Sequence, residues 1–397
     1  MTKTMLWIFS VSAIAVVLVL GISGCKEGPM GPQGAPGSSV LANLEGFAPG
    51  IQCATCHNPD TDTTYFIAGR ELQWENSGHK GMGDYDENRS TCAGCHTSEG
   101  FIQRMNGLTV TDALDPTPVG CFACHSPHSR ANFTLRTTSP VTLLSNIKGV
   151  ANATFDDGEA NLCAQCHQPR SVSTSTQIDI SKQAATGTLV INTNRWYGHN
   201  ALQALLLKGS NANGTGGGGG YEWPGYTYGN STHSSLANAK TLACPDCHMA
   251  DASPTATNAG RVGGHSMNIA FTDPSTGSTT YNFNACNTAI NGSTCHKSAP
   301  LTTLDYKGKQ TAVNDSMAVL YSILGAKGWI DTVSTSSTFG LVKLSNGSSG
   351  TLKIAPASRG GALWNYLFLA HDGSSGVHNS QYALDLLTAS LAEIRKP

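Results

Sequence analysis

The sequence predicts a mainly α-helical and irregular fold, in which loops and short helices are followed by a helical C-terminal module. Aromatic residues make up 7% and charged residues 13% of the 397 residues, while Gly occurs 44 times. The long aliphatic runs that would form an ordinary core of this size are therefore scarce. After residue 300, by contrast, apolar residues recur at helical spacing. Something other than aliphatic side chains must fill much of the interior before that point.

Three helices are predicted near the C-terminus. They cover residues 312–326, about 361–370 and about 380–395. Residues 332–352 are rich in Ser, Thr and Gly with alternating apolar positions, which predicts a hairpin. The apolar residues that set the helical spacing are Met317, Leu320, Ile323 and Leu324 in the first helix and Tyr382, Leu384, Leu387 and Leu391 in the third.

The N-terminus predicts export. An apolar run of about 15 residues, Leu6 to Leu20, follows Lys3; it fits a signal peptide and is short for a membrane span of about 20 residues. The segment Ile22-Ser23-Gly24-Cys25 is typical of a bacterial lipobox. We therefore expect residues 1–24 to be a lipoprotein signal peptide and Cys25 to be lipidated. The alternative is a plain secretory signal with an incidental cysteine.

A short linker is expected to separate the lipid anchor from the rest of the chain. Residues 28–37 form three collagen-like triplets, too few for a triple helix, and predict a stiff tether over residues 25–49. Residues 50–300 are predicted as the main domain and residues 301–397 as the C-terminal module. The formal net charge of −2 offers no basic stripe, so a nucleic-acid partner is excluded.

Five Cys-x-x-Cys-His motifs follow the tether. Each thiol of such a motif can add to one vinyl group of a porphyrin, which places the adjacent histidine under the iron as its proximal ligand. Cys and His each occur 13 times, so about 0.014 motifs are expected by chance, and the five predict covalently bound haem c. The motifs are Cys53, Cys56 and His57 (motif 1), Cys92, Cys95 and His96 (motif 2), Cys121, Cys124 and His125 (motif 3), Cys163, Cys166 and His167 (motif 4), and Cys244, Cys247 and His248 (motif 5).

A sixth motif is expanded. Eight residues separate Cys286 from Cys295, which is followed by His296 (motif 6). A longer loop can still bring both thiols to the vinyl carbons, so we predict a sixth haem. The alternative is a disulfide between the two cysteines, with His296 incidental.

Zinc binding and disulfides are the alternatives for motifs 1 to 5. Zinc knuckles need no histidine after each cysteine pair, so zinc does not account for the five histidines. Disulfides, which export favours, leave the trailing histidines unexplained.

The seven remaining histidines supply the six distal ligands needed, with one to spare. Six haems with two axial histidines each require twelve of the 13. His371 is predicted to be the surplus residue. His128 lies only three residues after His125, so it cannot reach the opposite face of the same haem and is expected to serve a neighbouring one. The predicted distal ligands are His79, His128, His199, His233, His265 and His378.

An iron with two histidine ligands has no open position for a substrate, so we expect outer-sphere electron transfer and no catalytic residues. The fold is then one of loops and short helices wrapped around a chain of packed haems, with the C-terminal module supplying His378.

Several stretches resemble the multihaem c-type cytochromes of metal-reducing bacteria. These are His199 to Gly209, Gly220-Tyr221-Glu222, His233, Cys244 to Met249, Gly264-His265, and the ending from Ala362 to Ala383. They are also similar to the wider superfamily that includes the pentahaem nitrite reductase and hydroxylamine oxidoreductase. The resemblance covers roughly residues 50–395 and implies low-spin haems and respiratory electron transfer to or from the cell exterior.

The expected role is a lipid-anchored carrier at the outer membrane or cell surface. Its partners would be other redox proteins, other multihaem cytochromes or extracellular electron acceptors. The nitrite reductase type carries one motif with lysine in place of histidine, whereas here every Cys-x-x-Cys is followed by His. An enzyme that reduces a nitrogen or sulfur oxyanion is one alternative, and a subunit of an extracellular cytochrome filament is another.

Overall fold

The computed structural model describes the chain from residue 46 onward. The described residues are 46–58, 60, 62, 64–83, 87–148, 150–170, 178–179, 187–210, 219–253, 255–287, 289–290, 293–296, 299–346 and 349–397. Phe47–Pro397 form one compact unit, which contains both the predicted C-terminal module and nearly all of the predicted main domain. The predicted signal peptide, Cys25 and nearly all of the tether lie outside the described residues. Within the described ranges, no helix has both the length and the apolar character of a membrane span.

Short helices provide most of the regular structure before residue 300. Gly, Pro, Ser, Thr and Asn lie between them and interrupt longer helices. Single 3₁₀ turns, Gly78–Gly81 and Gly264–Ser266, carry His79 and His265. The helices are α1 Ala54–His57, α2 Ile67–Trp74, α3 Ser90–His96, α4 Ser98–Met105, α5 Cys121–Cys124, α6 Pro127–Arg130, α7 Ala160–Ala164, α8 Gln203–Lys208, α9 Thr232–Asn238, α10 Cys244–His248 and α11 Asn284–Asn287.

The strands form two-stranded pairs of two or three residues per strand. One pair, Leu189–Ile191 with Leu352–Ile354, joins the C-terminal module to the preceding part of the chain and places Leu352 opposite Ile191. The pairs are β1 Val141–Leu143 with β3 Ala153–Phe155, β2 Ile147–Lys148 with β4 Ile178–Asp179, β5 Leu189–Ile191 with β10 Leu352–Ile354, β6 Ala270–Thr272 with β7 Thr279–Tyr281, and β8 Ala289–Ile290 with β9 Ser293–Thr294.

The three predicted C-terminal helices are present as α12 Lys309–Ala326, α13 Gly360–Asp372 and α14 Ser380–Ile394. Gly373 ends α13 at φ 73°, a left-handed conformation that glycine adopts without steric cost. Asn379 caps α14, because its side chain accepts a hydrogen bond from the Tyr382 N–H. The helices share the largest apolar core of the described chain, which includes Leu320, Leu324, Leu363, Leu367, Leu386 and Leu387.

Residues 219–221 pass between α13 and α14. A Cβ at Gly219 would overlap Phe368, and one at Gly220 would overlap Leu386, so only glycine fits at these two positions. The buried Asn365 side chain accepts from the Tyr221 N–H at 2.6 Å and donates to the Tyr221 carbonyl at 2.9 Å. Both backbone groups of Tyr221 are therefore satisfied by one side chain of α13.

The predicted hairpin is reduced to isolated bridges. Ile330 pairs with Val342, and Asn346 pairs with Ser349. The carboxylate of Asp331 accepts hydrogen bonds from the Val333 N–H at 3.0 Å and the Thr338 hydroxyl at 2.6 Å. These bonds fold residues 331–338 into a compact loop. The loop is closed by backbone bonds, since the Asp331 N–H donates to the Leu341 carbonyl at 2.8 Å and the Asp331 carbonyl accepts from the Gly340 N–H at 2.8 Å.

Candidate functional site

The Cys-x-x-Cys-His motifs form single helical turns. The His57 N–H donates to the Cys53 carbonyl at 2.8 Å, and the His167 N–H donates to the Cys163 carbonyl at 2.9 Å. Residues three and four apart lie on one face of such a turn. Both cysteines and the histidine of each motif therefore face the same side, as attachment to one porphyrin requires.

The expanded motif reaches a similar arrangement by another route. Cys286 lies in α11, and the hairpin of β8 and β9 returns the chain to it. The His296 N–H then donates to the Cys286 carbonyl at 3.1 Å, the counterpart of the bonds within motifs 1 and 4. Cys286 and Cys295 are both free thiols, so the alternative disulfide is not formed in the structure.

The thirteen histidines all lie in the described part of the chain, and twelve of them form six ring pairs. Each pair joins a motif histidine to a histidine outside the motifs, with ring centroids 6.0 to 6.4 Å apart. Numbered by motif as sites 1 to 6, the pairs are His57 with His128, His96 with His199, His125 with His265, His167 with His79, His248 with His378, and His296 with His233.

This spacing fits two imidazoles on one iron. Imidazoles bound through a ring nitrogen to opposite sides of one metal ion, each at about 2 Å, have ring centres about 6 Å apart. Rings in direct stacking contact have a shorter centroid distance, as His371 and Tyr197 show at 4.0 Å. The six pairs thus leave a gap of one metal ion between their rings. The histidines placed opposite the motifs are the six expected to be distal.

The space around the pairs is large enough for several cofactors. A continuous cavity of about 2970 Å³ is lined by residues of motifs 2 to 6 and by five of the histidines opposite motif histidines. Ordinary ligand pockets measure roughly 300–1,000 Å³. Among the described residues, the cavity lining does not include His57 or His128, so site 1 lies apart from this space.

Burial lowers the pKa of seven of the paired histidines and so favours their neutral form, which is the form that binds a metal. Burial, followed by the charge of His167, lowers the pKa of His79 to about 4. Burial, followed by Arg70 and His125, lowers the pKa of His265 to about 4. Burial is also the main cause of a lowered pKa at His125, His167, His199, His248 and His296.

Hydrogen bonds at Nδ1 orient several of these rings. His248 Nδ1 lies 3.0 Å from the Met267 carbonyl, and His233 Nδ1 lies 2.9 Å from the Val377 carbonyl. A carbonyl can only accept, so Nδ1 carries the proton and Nε2 keeps its lone pair for a metal. The same tautomer is consistent with the contact of His378 Nδ1 with Asp372 at 2.8 Å.

Neighbouring motifs touch through their cysteines. The Arg104 guanidinium contacts Cys95 Sγ at 3.1 Å and Cys166 Sγ at 3.6 Å, which joins motif 2 to motif 4. The thiols of Cys163 and Cys244 are close enough to interact, which places motif 4 beside motif 5. Motif 4 therefore lies next to both motif 2 and motif 5.

His371 is placed differently from the other histidines. Its ring stacks on Tyr197 with an interplanar angle of 12°. Burial, followed by the charge of His199, lowers the pKa of His371 to about 4. Sequence reasoning predicted this residue to be the surplus histidine, and none of the six ring pairs contains it.

Several polar residues that contact the site histidines were missed by the sequence-based reasoning. Asp372, Gln203 and Glu87 contact histidines of sites 5, 4 and 2. None has a fixed spacing from a motif, so only tertiary structure reveals them.

Comparison with known proteins gives one distant likeness. No protein-family profile matches the sequence, and no curated protein sequence matches it. The solved structure of the outer cell wall cytochrome OcwA is similar with a TM-score of 0.42 and 20% identity, covering 82% of this chain and 50% of that chain. The chain thus spans about half the length of that cytochrome.

Proposed function

We propose that the chain is a multihaem c-type cytochrome that binds six haems covalently and transfers electrons. The observation that carries the proposal is the set of six histidine pairs with ring centroids 6.0 to 6.4 Å apart. The motif cysteines would form the thioether bonds, the motif histidines would be proximal ligands, and their ring partners would be distal ligands. Bound in this way, haem supplies one-electron oxidation and reduction.

The residues of the chain would then hold the irons and exclude other ligands. Two imidazoles would hold each iron, so a small molecule would find no vacant position at which to bind. This favours a carrier over an enzyme that reduces a nitrogen or sulfur oxyanion. Contacts between motifs, such as that of Arg104 with Cys95 and Cys166, keep neighbouring sites close.

The test is a haem count with a ligand-binding assay. The protein is produced in a host that attaches haem c, and the reduced-minus-oxidised spectrum is related to protein concentration. We expect six haems per chain and no spectral change when carbon monoxide is added to the reduced protein. Fast binding of carbon monoxide to the unmodified protein would reveal an open iron, and the enzyme alternative would then replace the carrier.

We also propose that lipid on Cys25 anchors the chain to the outer membrane or cell surface, on the strength of Ile22-Ser23-Gly24-Cys25. Cys25→Ala should move the protein from the membrane to the soluble fraction. Ser23→Ala keeps a small residue before the cysteine and serves as the control. Equal membrane association of both variants would contradict lipidation.

The expected pathway is respiratory electron transfer with other redox proteins, other multihaem cytochromes or extracellular acceptors. Cells that lack the protein should reduce an extracellular acceptor more slowly than cells that carry it, while growth on soluble, periplasmic acceptors is unaffected. Electron microscopy of secreted material checks the filament alternative, since a filament subunit would appear as ordered polymers.

A further inference from the structure

One histidine of site 5 is bonded to a buried negative charge. His378 Nδ1 lies 2.8 Å from Asp372 Oδ1, and the Asp372 side chain is only 1% exposed. The other carboxylate oxygen, Oδ2, accepts hydrogen bonds from the N–H and the hydroxyl of Ser374. Both oxygens are therefore satisfied, as a buried carboxylate requires.

Asp372 also connects site 5 to site 4 through its backbone. Its carbonyl accepts a hydrogen bond from Gln203 Nε2 at 2.8 Å, and Gln203 Oε1 lies 3.0 Å from His167 Nδ1. His167 thus meets a neutral amide, whereas His378 meets a full negative charge. The partner of the Nδ1 atom is therefore neutral at His167 of site 4 and negatively charged at His378 of site 5.

A weaker version of this contact occurs at site 2. Glu87 Oε2 lies 2.8 Å from His96 Nδ1, and the Glu87 side chain is 33% exposed. The ring N–H is not aligned for a hydrogen bond with it. Solvent reaches Glu87 and screens its charge more than that of Asp372.

We propose that Asp372, and more weakly Glu87, lowers the midpoint potential of the iron held by the histidine it contacts. A carboxylate behind a ligating imidazole makes the ligand more basic, and its charge favours the oxidised, more positive iron. Asp372 is a positioning and tuning residue for His378, and Glu87 plays this part for His96. This inference rests on the proposed haem ligation.

The test is an optical potentiometric titration of the fully loaded protein. Asp372→Asn should shift one of the six one-electron steps to higher potential, with about a tenfold change in the oxidised-to-reduced ratio, or about 59 mV. Asp372→Glu keeps the carboxylate, so all six steps should stay close to those of the natural protein. Asp331→Asn is the matched control, since Asp331 is a buried carboxylate bonded to Thr338 and Val333, and all six steps should remain in place.

Glu87→Gln should shift a different step to higher potential by a smaller amount. If Asp372→Asn releases His378 and produces a high-spin haem, Glu87→Gln still tests whether a carboxylate lowers the potential. Six low-spin haems with an unchanged titration in the variants would overturn the inference and leave the proposed function intact. Equal shifts in Asp372→Asn and Asp372→Glu would also overturn it, because packing and not charge would be the cause. A natural protein without haem would instead refute the proposed function.

Discussion

His128 faces His57 with ring centroids 6.2 Å apart, although it follows His125 by only three residues. The helix α6, Pro127–Arg130, carries His128 toward motif 1, and Phe47 stacks on the His128 ring. His125 faces His265 instead, at 6.4 Å. Sites 1 and 3 are therefore held next to each other by one short segment.

The first prediction distinguishes the two histidines of the segment 371–378. His378→Ala removes one ring of site 5, so one of six irons should become high-spin and bind carbon monoxide rapidly. His371→Ala should leave all six irons low-spin, because His371 stacks on Tyr197. Electronic spectra of the oxidised proteins and carbon monoxide binding to the reduced proteins measure the difference. An open iron in His371→Ala, with none in His378→Ala, would reverse the assignment.

The twelve histidines that the structure brings together in pairs could be singled out from the sequence, because count and motif chemistry are local information. Twelve histidines were expected to serve six irons, and the short distance from His125 to His128 already required a neighbouring partner. The C-terminal helices followed from apolar spacing. Their observed limits, such as Gly360–Asp372 for α13, lie within three residues of the predicted ones.

Other features depend on contacts between distant residues and could not be read from the sequence. Gln203 bonds to Asp372 across 169 positions, and no local pattern marks either residue. The pairing of each predicted distal histidine with a particular motif histidine is likewise tertiary information. The predicted hairpin is limited to a few backbone bonds, such as that from the Asp331 N–H to the Leu341 carbonyl, and the Asp331 side chain orders the loop between them.

The second prediction concerns motif 6. The intact mass of the variant Cys286→Ser/Cys295→Ser should be lower than that of the natural protein by about the mass of one haem, because neither thioether bond can form at site 6. Cys53→Ser/Cys56→Ser is the matched comparison and should lose the same mass. Intact mass spectrometry measures both. If the motif 6 variant keeps its haem count while the motif 1 variant loses one haem, Cys286 and Cys295 do not bind haem.

The third prediction uses the angle between paired rings. The rings are inclined by 72° in site 4 and 89° in site 6, but by only 34° to 39° in the other four sites. Nearly perpendicular axial imidazoles bring two iron d orbitals close in energy, which gives low-spin ferric signals with a large maximum g value. Electron paramagnetic resonance should therefore show two such irons and four with ordinary rhombic signals.

The variant that lacks the motif 6 cysteines provides the control for this assignment. It should lose one of the two large-g signals and keep the four rhombic ones. Loss of a rhombic signal instead would show that the rings of site 6 are not perpendicular when iron is bound.

The fourth prediction concerns stability. Asn365→Leu leaves the N–H and carbonyl of Tyr221 without their side-chain partner in the core, which should cost about 2–4 kcal/mol of unfolding free energy. Guanidinium unfolding followed by tryptophan fluorescence measures the change. Asn192→Leu, at an exposed position, is the control and should have little effect. Equal midpoints for the two variants would contradict the role of Asn365.

The central claim is that six irons each lie between two histidines. Near-infrared magnetic circular dichroism of the oxidised protein tests it most directly, since the energy and intensity of the low-spin charge-transfer band report the identity and number of axial ligand pairs. The histidine pairs predict six bis-histidine haems per chain and no high-spin band. A high-spin band in the unmodified protein, or fewer than six bis-histidine haems in a protein whose mass shows six haems attached, would contradict it.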